Sequence, residues 1–134
     1  MAEADANIPV ASELDIVTAR QQGRALAQEL GFSPGNATLV ATAISELARN
    51  IVLYVKRGEV VLRQVNSGPV PGLVVIARDE GPGIADIRRA VMDGYSTSGR
   101  LGLGLPGVKR LMDCFEIQSK LGSGTTVVVT KWKA

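Results

Sequence analysis

The chain has 134 residues, 46% of them apolar and 21% charged, with 15 basic and 13 acidic side chains and a formal net charge of +2. That is enough for a single domain, residues 1–134, burying roughly two-thirds of its unfolded surface, and too apolar for a disordered chain. With no histidine and one cysteine, Cys114, a Ser-His-Asp triad, a histidine-ligated metal, an internal disulfide and a thiolate zinc site are all excluded.

Acid–base chemistry must therefore fall to carboxylates, lysines or tyrosines, and any metal must be a hard cation held by oxygen. The basic residues are scattered, and their densest spots, Arg88-Arg89 and Lys109-Arg110, are only pairs. With two Phe, two Tyr and one Trp there are also few rings on which bases could stack. No nucleic-acid partner is expected. No apolar run approaches the ~20 residues of a membrane span. Met1 to Asn7 is acidic and lacks the features of a signal peptide, so a cytoplasmic protein is expected.

In chain order, Ile8 to Val10 reads as a short first strand. Ile16, Ala19, Gly23, Leu26 and Leu30 then recur at three- and four-residue intervals, one face of a helix. Ser12 is its expected N-cap and Gly31 its stop. A second helix follows Ser33-Pro34-Gly35-Asn36, carries Val40, Ile44, Leu47, Ile51 and Tyr54 on one stripe, and ends near Lys56-Arg57-Gly58. Glu59 to Val65 and Leu73 to Arg78 read as a hairpin around a turn-rich segment. Asp86 to Met92 is expected to form a short helix and Gly94 to Gly104 a mobile loop. Pro106 suits the first turn of a helix reaching about Met112. Phe115 to Ser119 and Thr125 to Trp132 read as strands around Leu121-Gly122-Ser123-Gly124. Helices alternating irregularly with antiparallel strands argue a two-layer α+β sandwich.

Four short patterns carry candidate chemistry. Glu46 and Asn50 are four apart, so they share one side of the second helix. At 3.6 residues per turn, Asn50 lies about 60° and Glu46 about 100° from Leu47 at the stripe's centre. A carboxylate at such an edge can take a proton or order a water, and an amide oxygen can ligate Mg²⁺. The same pair also suits the solvated boundary of an amphipathic helix. Asp79-Glu80-Gly81-Pro82-Gly83 ends a strand, where bare backbone lets a planar ligand approach a carboxylate. It also reads as a simple turn. Gly99 to Gly107 runs glycines into a helix start, which suits phosphate. Its literal G-x-G-x-x-G lacks a preceding strand, and Val108 breaks the P-loop signature. Gly122-Ser123-Gly124-Thr125 is the fourth, and by itself a hairpin turn.

Taken in order, E-x₃-N on a helix, D-x-G-x-G, G-x-G at a helix start and G-x-G-T resemble the four boxes of the ATP-binding GHKL (Bergerat-fold) superfamily, from about residue 33 to 130. The resemblance implies a mixed, mostly antiparallel sheet covered by helices on one face. It matches Glu46 to the general base and Asn50 to the Mg²⁺ ligand. It also matches Asp79 to the carboxylate that reads the adenine amino group, with Gly81 and Gly83 letting the base approach. Gly102, Leu103 and Gly104 match the backbone that wraps the phosphates, and Thr125 a hydroxyl that helps hold adenine.

The finer wording around Ser45 to Ile51, Asp93 to Gly99 and Leu105 to Asp113 is similar to one small branch, the serine/threonine kinases that act as switches in the bacterial stressosome. That branch implies an ATP·Mg²⁺-dependent kinase that phosphorylates STAS-domain proteins and, on release, activates a PP2C-type phosphatase in a partner-switching stress response. An anti-sigma factor kinase of the same fold and a non-catalytic ATP-binding adaptor are the alternatives.

Overall fold

A computed structural model describes residues 6–66, 70–81 and 104–133. The first strand, β1 (Ala6–Val10), leads directly into helix α1 (Glu13–Glu29). Ser12 caps that helix by accepting from the Asp15 N–H, and Asp15 Oδ2 reaches back to the Ala11 N–H at 2.8 Å. Two donors at the helix start are thus satisfied reciprocally, and the acidic first turn suits the dipole. The other end closes as a Schellman motif. Gly31 turns left-handed at φ +87°, its N–H bonds Gln28 O, and the Phe32 N–H bonds Ala27 O.

Helix α2 (Pro34–Tyr54) starts earlier than expected, inside the Ser33-Pro34-Gly35-Asn36 segment, with Ser33 at the N-cap and Pro34 in the first turn. Val40, Ile44, Leu47 and Ile51 are all buried. Tyr54, expected on the same stripe, is instead exposed. The helix ends there, and Lys56 takes a left-handed conformation at φ +84° that turns the chain into β2.

Strands β2 (Gly58–Val65) and β3 (Gly72–Asp79) form the first hairpin, β4 (Cys114–Lys120) and β5 (Gly124–Trp132) the second. Helix α3 (Gly104–Leu111) precedes the second, with Pro106 in its first turn. The five strands lie in the order β1-β2-β3-β5-β4. Every pairing among the described strands is antiparallel, so the parallel component of a mixed sheet is not found among them. The expected Asp86–Met92 helix and the loop from Gly94 lie outside the described residues, except for Gly104, which opens α3.

Alternation along the strands sends Ile8, Val10, Val60, Leu62, Leu73, Val75, Ala77, Val127 and Val129 to one face. There they join Ile16, Ile44, Leu47 and Val108 from the helices in one core. The two-layer α+β sandwich is therefore what forms. Helix α2 is its keystone: it packs against α1, against α3 and across β1, β2 and β3.

Candidate active site

That central placement changes the environment of Glu46. Judged against a single apolar neighbour, the residue belongs at the stripe's edge. Instead it is 7% exposed, and Ser45 through Ala48 are all buried in succession. A helix flanked by two helices and a sheet keeps little outward face. Arg49, one turn on and half-buried, donates from Nη1 to Glu46 Oε1 at 3.3 Å. A charge-assisted bond of this kind offsets part of the cost of desolvating a carboxylate. Its signal was the i,i+3 spacing of Glu46 and Arg49, opposite charges on neighbouring turns. Asn50 is half-buried one turn beyond Glu46.

The end of α2 meets the end of the sheet. A side chain on Gly81 would come within 2.8 Å of both Val55 methyls, and one on Gly58 within 3.0 Å of Ile51 Cγ2. Only bare backbone fits between helix and strands there. Measured along the helix axis from Val55, Asn50 lies about 7 Å and Glu46 about 13 Å back. The two residues are thus staggered along one helix, leading away from the strand end that holds Asp79.

Asp79 is the last residue of β3, and its Oδ1 accepts from the Gly81 N–H at 2.9 Å. This Asx-type turn fixes the carboxylate and leaves Oδ2 as its second acceptor. Register then builds a row across the sheet. Gly58 pairs with Asp79, Asp79 with Thr125, and Thr125 with Ser119. Thr125 Oγ1 and Ser119 Oγ are 2.7 Å apart. Gly124, at φ +107°, has no room for a Cβ, which would sit 2.1 Å from the Asp79 carbonyl oxygen. The tight β3–β5 approach that sets Thr125 beside Asp79 therefore requires glycine at that position.

Asp79, Gly81 and Thr125 are thus brought together, with Glu46 and Asn50 along the adjoining helix. Gly104 stands at the start of α3 in a left-handed conformation, φ +61°. Gly83, Gly102 and Leu103 lie outside the described residues. Ser119, Gly58 and Arg49 were not singled out from sequence. Ser119 was reachable by counting the second hairpin's register outward from its turn.

Comparison with known proteins agrees with the fold. Residues 35–134 match the family of histidine kinase-, DNA gyrase B- and HSP90-like ATPases. Over 125 residues the chain is 53% identical to the serine/threonine-protein kinase RsbT of Bacillus subtilis, covering 93% of this chain and 94% of that one. The chain belongs to the GHKL ATPase family and, within it, to the RsbT-like serine/threonine-protein kinases. An anti-sigma F factor of Thermoanaerobacter sp. (strain X514) is 33% identical over 99 residues, 69% of this chain and 68% of its own. The RsbU and RsbW domains of a Mycobacterium tuberculosis protein share the fold with TM-score 0.59 at 21% identity, over 94% of this chain and 32% of that longer one. The GHKL assignment carries ATP binding, and the RsbT-like and anti-sigma relatives make the chain a partner-switching kinase. No described helix is long and apolar enough to cross a membrane.

Proposed function

We propose that this GHKL kinase phosphorylates a serine or threonine of a STAS-domain protein and, once released from it, activates a PP2C-type phosphatase, all in the cytoplasm. The observation that carries the chemical half is the convergence of the Asp79–Thr125–Ser119 row with the end of α2, from which Asn50 and Glu46 lead away. Asp79 and Thr125 offer oxygen acceptors suited to the amino group of adenine. Gly81 keeps the wall beside them flat.

Asn50 offers one amide oxygen for Mg²⁺. Among the described residues there is no cluster of three acidic, histidine or cysteine ligands. That suits an ion which keeps several waters and is held largely through phosphates. When bound, Mg²⁺ would neutralise charge on the phosphates as the γ-phosphoryl group of ATP passes to the acceptor oxygen and ADP leaves. Glu46 then accepts the proton of the acceptor hydroxyl at a carboxylate oxygen, while Arg49 holds the same side chain in place. Because phosphoryl transfer is mostly positioning and charge neutralisation, Asn50 and the glycine-rich segment Gly102-Leu103-Gly104 carry the larger share of the rate.

The test is incubation with radiolabelled ATP, Mg²⁺ and a STAS-domain partner. Label on the partner supports the reading, and label on neither protein removes it. The similarity to anti-sigma F factors over 69% of the chain supports a second reading, a kinase that holds a sigma factor. Pull-downs with a sigma factor and with a PP2C-type phosphatase separate the two. A non-catalytic adaptor would bind ATP and transfer nothing.

A further inference from the structure

Ser119 stands in the row with Thr125 and Asp79, and its hydroxyl proton decides what that row can read. Ser119 Oγ lies 3.3 Å from the Gly124 carbonyl oxygen and 2.7 Å from Thr125 Oγ1. A carbonyl oxygen only accepts, so in the first contact Ser119 is the donor. A serine has one proton. The 2.7 Å contact by itself allows either direction, and with the Ser119 proton on the Gly124 carbonyl it is Thr125 that donates to Ser119.

We propose that Ser119 is a specificity-positioning residue, which draws the Thr125 proton away from the nucleotide and leaves Thr125 as an acceptor only. The inference rests on the reading of Asp79 and Thr125 as the base-recognition pair. Asp79 Oδ1 is committed to the Gly81 N–H, so Oδ2 is its acceptor toward a ligand. Register places Thr125 directly opposite on the neighbouring strand. Two acceptors side by side match an exocyclic amino group, which has two N–H donors. They oppose a carbonyl at the same position, which would leave three acceptors facing one another without a proton. The hydroxyl pair at residues 119 and 125 thus converts a residue able to donate or accept into a one-way filter for 6-amino purines.

Removing the Ser119 hydroxyl frees the Thr125 proton to swing outward and donate. The 6-carbonyl of a hypoxanthine base then gains a partner. The experiment is calorimetric titration of the full chain and of Ser119→Ala and Ser119→Thr with ATP and with inosine triphosphate. The latter carries a carbonyl in place of the 6-amino group and has no 2-amino group. One neutral hydrogen bond regained corresponds to about a 5- to 10-fold change in relative affinity. Ser119→Ala should narrow the preference for ATP over inosine triphosphate by about that factor, and Ser119→Thr should restore it. A role in packing alone would weaken both nucleotides together and leave their ratio unchanged, which overturns the proposal. Equal binding of the two nucleotides by the parent chain would instead overturn the base-recognition reading on which it rests.

Discussion

Glu46 is where the residue scale is most demanding, because a buried carboxylate must be both held and usable. Arg49 holds one oxygen at 3.3 Å. The proposed role is separable from nucleotide binding, since Glu46 lies along α2 from the strand end that would take the base. Glu46→Ala should keep ATP bound and slow partner phosphorylation by about 10²–10⁴-fold, the usual range for a general base. Equal labelling rates would take Glu46 out of the mechanism. Asn50 makes a different prediction. It is half-buried, so Asn50→Ala should leave the fold intact and abolish the Mg²⁺-dependent part of ATP affinity, read by titration with and without the ion. Unchanged affinity at saturating Mg²⁺ would end its assignment as a ligand. The sequence placed both side chains on one helix side correctly. It placed Glu46 too near the surface, because a helical wheel does not show that neighbours close in on three sides.

Among the elements, legibility followed local chemistry. Ser12 and Gly31 are a cap and a stop whose physics acts within four residues, and α1 begins and ends on them, whereas Ser33 and Pro34, read as leading into α2, in fact open it. The hairpins were legible from their turns. What was not legible is long-range: the insertion of β5 between β3 and β4, which puts Thr125 beside Asp79. That contact leaves one local trace, the glycine before Thr125. Gly124→Ala would place a methyl group 2.1 Å from the Asp79 carbonyl oxygen and 2.8 Å from Glu80 Cα, at φ +107°. Overpacking typically costs about 1–3 kcal/mol and a left-handed non-glycine residue about 1–2 kcal/mol. Gly122 turns at φ +82° with nothing within 4 Å of its Cβ, so Gly122→Ala carries only the backbone term. Urea unfolding should therefore show the Gly124 variant destabilised by about 2–5 kcal/mol and the Gly122 variant by about 1–2 kcal/mol. Equal losses would mean that the β3–β5 approach is not tight.

For the whole molecule the question is why a kinase would let go of its product. Net charge gives no answer: at +2 the chain attracts a phosphorylated partner, if weakly, and at 0.15 M salt that attraction fades within about 8 Å. Release has to come from the site itself. On the proposed mechanism the acceptor hydroxyl meets Glu46, so once the proton Glu46 accepted has passed on to water, the new phosphate brings about −1.5 to −2 charges against a carboxylate that is 7% exposed. Burial makes that repulsion far stronger than it would be between exposed groups, and salt screens it little. The modified partner should then bind more weakly than the unmodified one, freeing the kinase for its second partner. Titration of the kinase against both forms tests this, and equal affinity would leave a kinase without a switch. The same titration with Glu46→Gln locates the cause. Removing the carboxylate's charge while keeping its shape should close most of the gap between the two forms. A gap that persists in the glutamine variant would move the repulsion away from Glu46 to the wider docking surface.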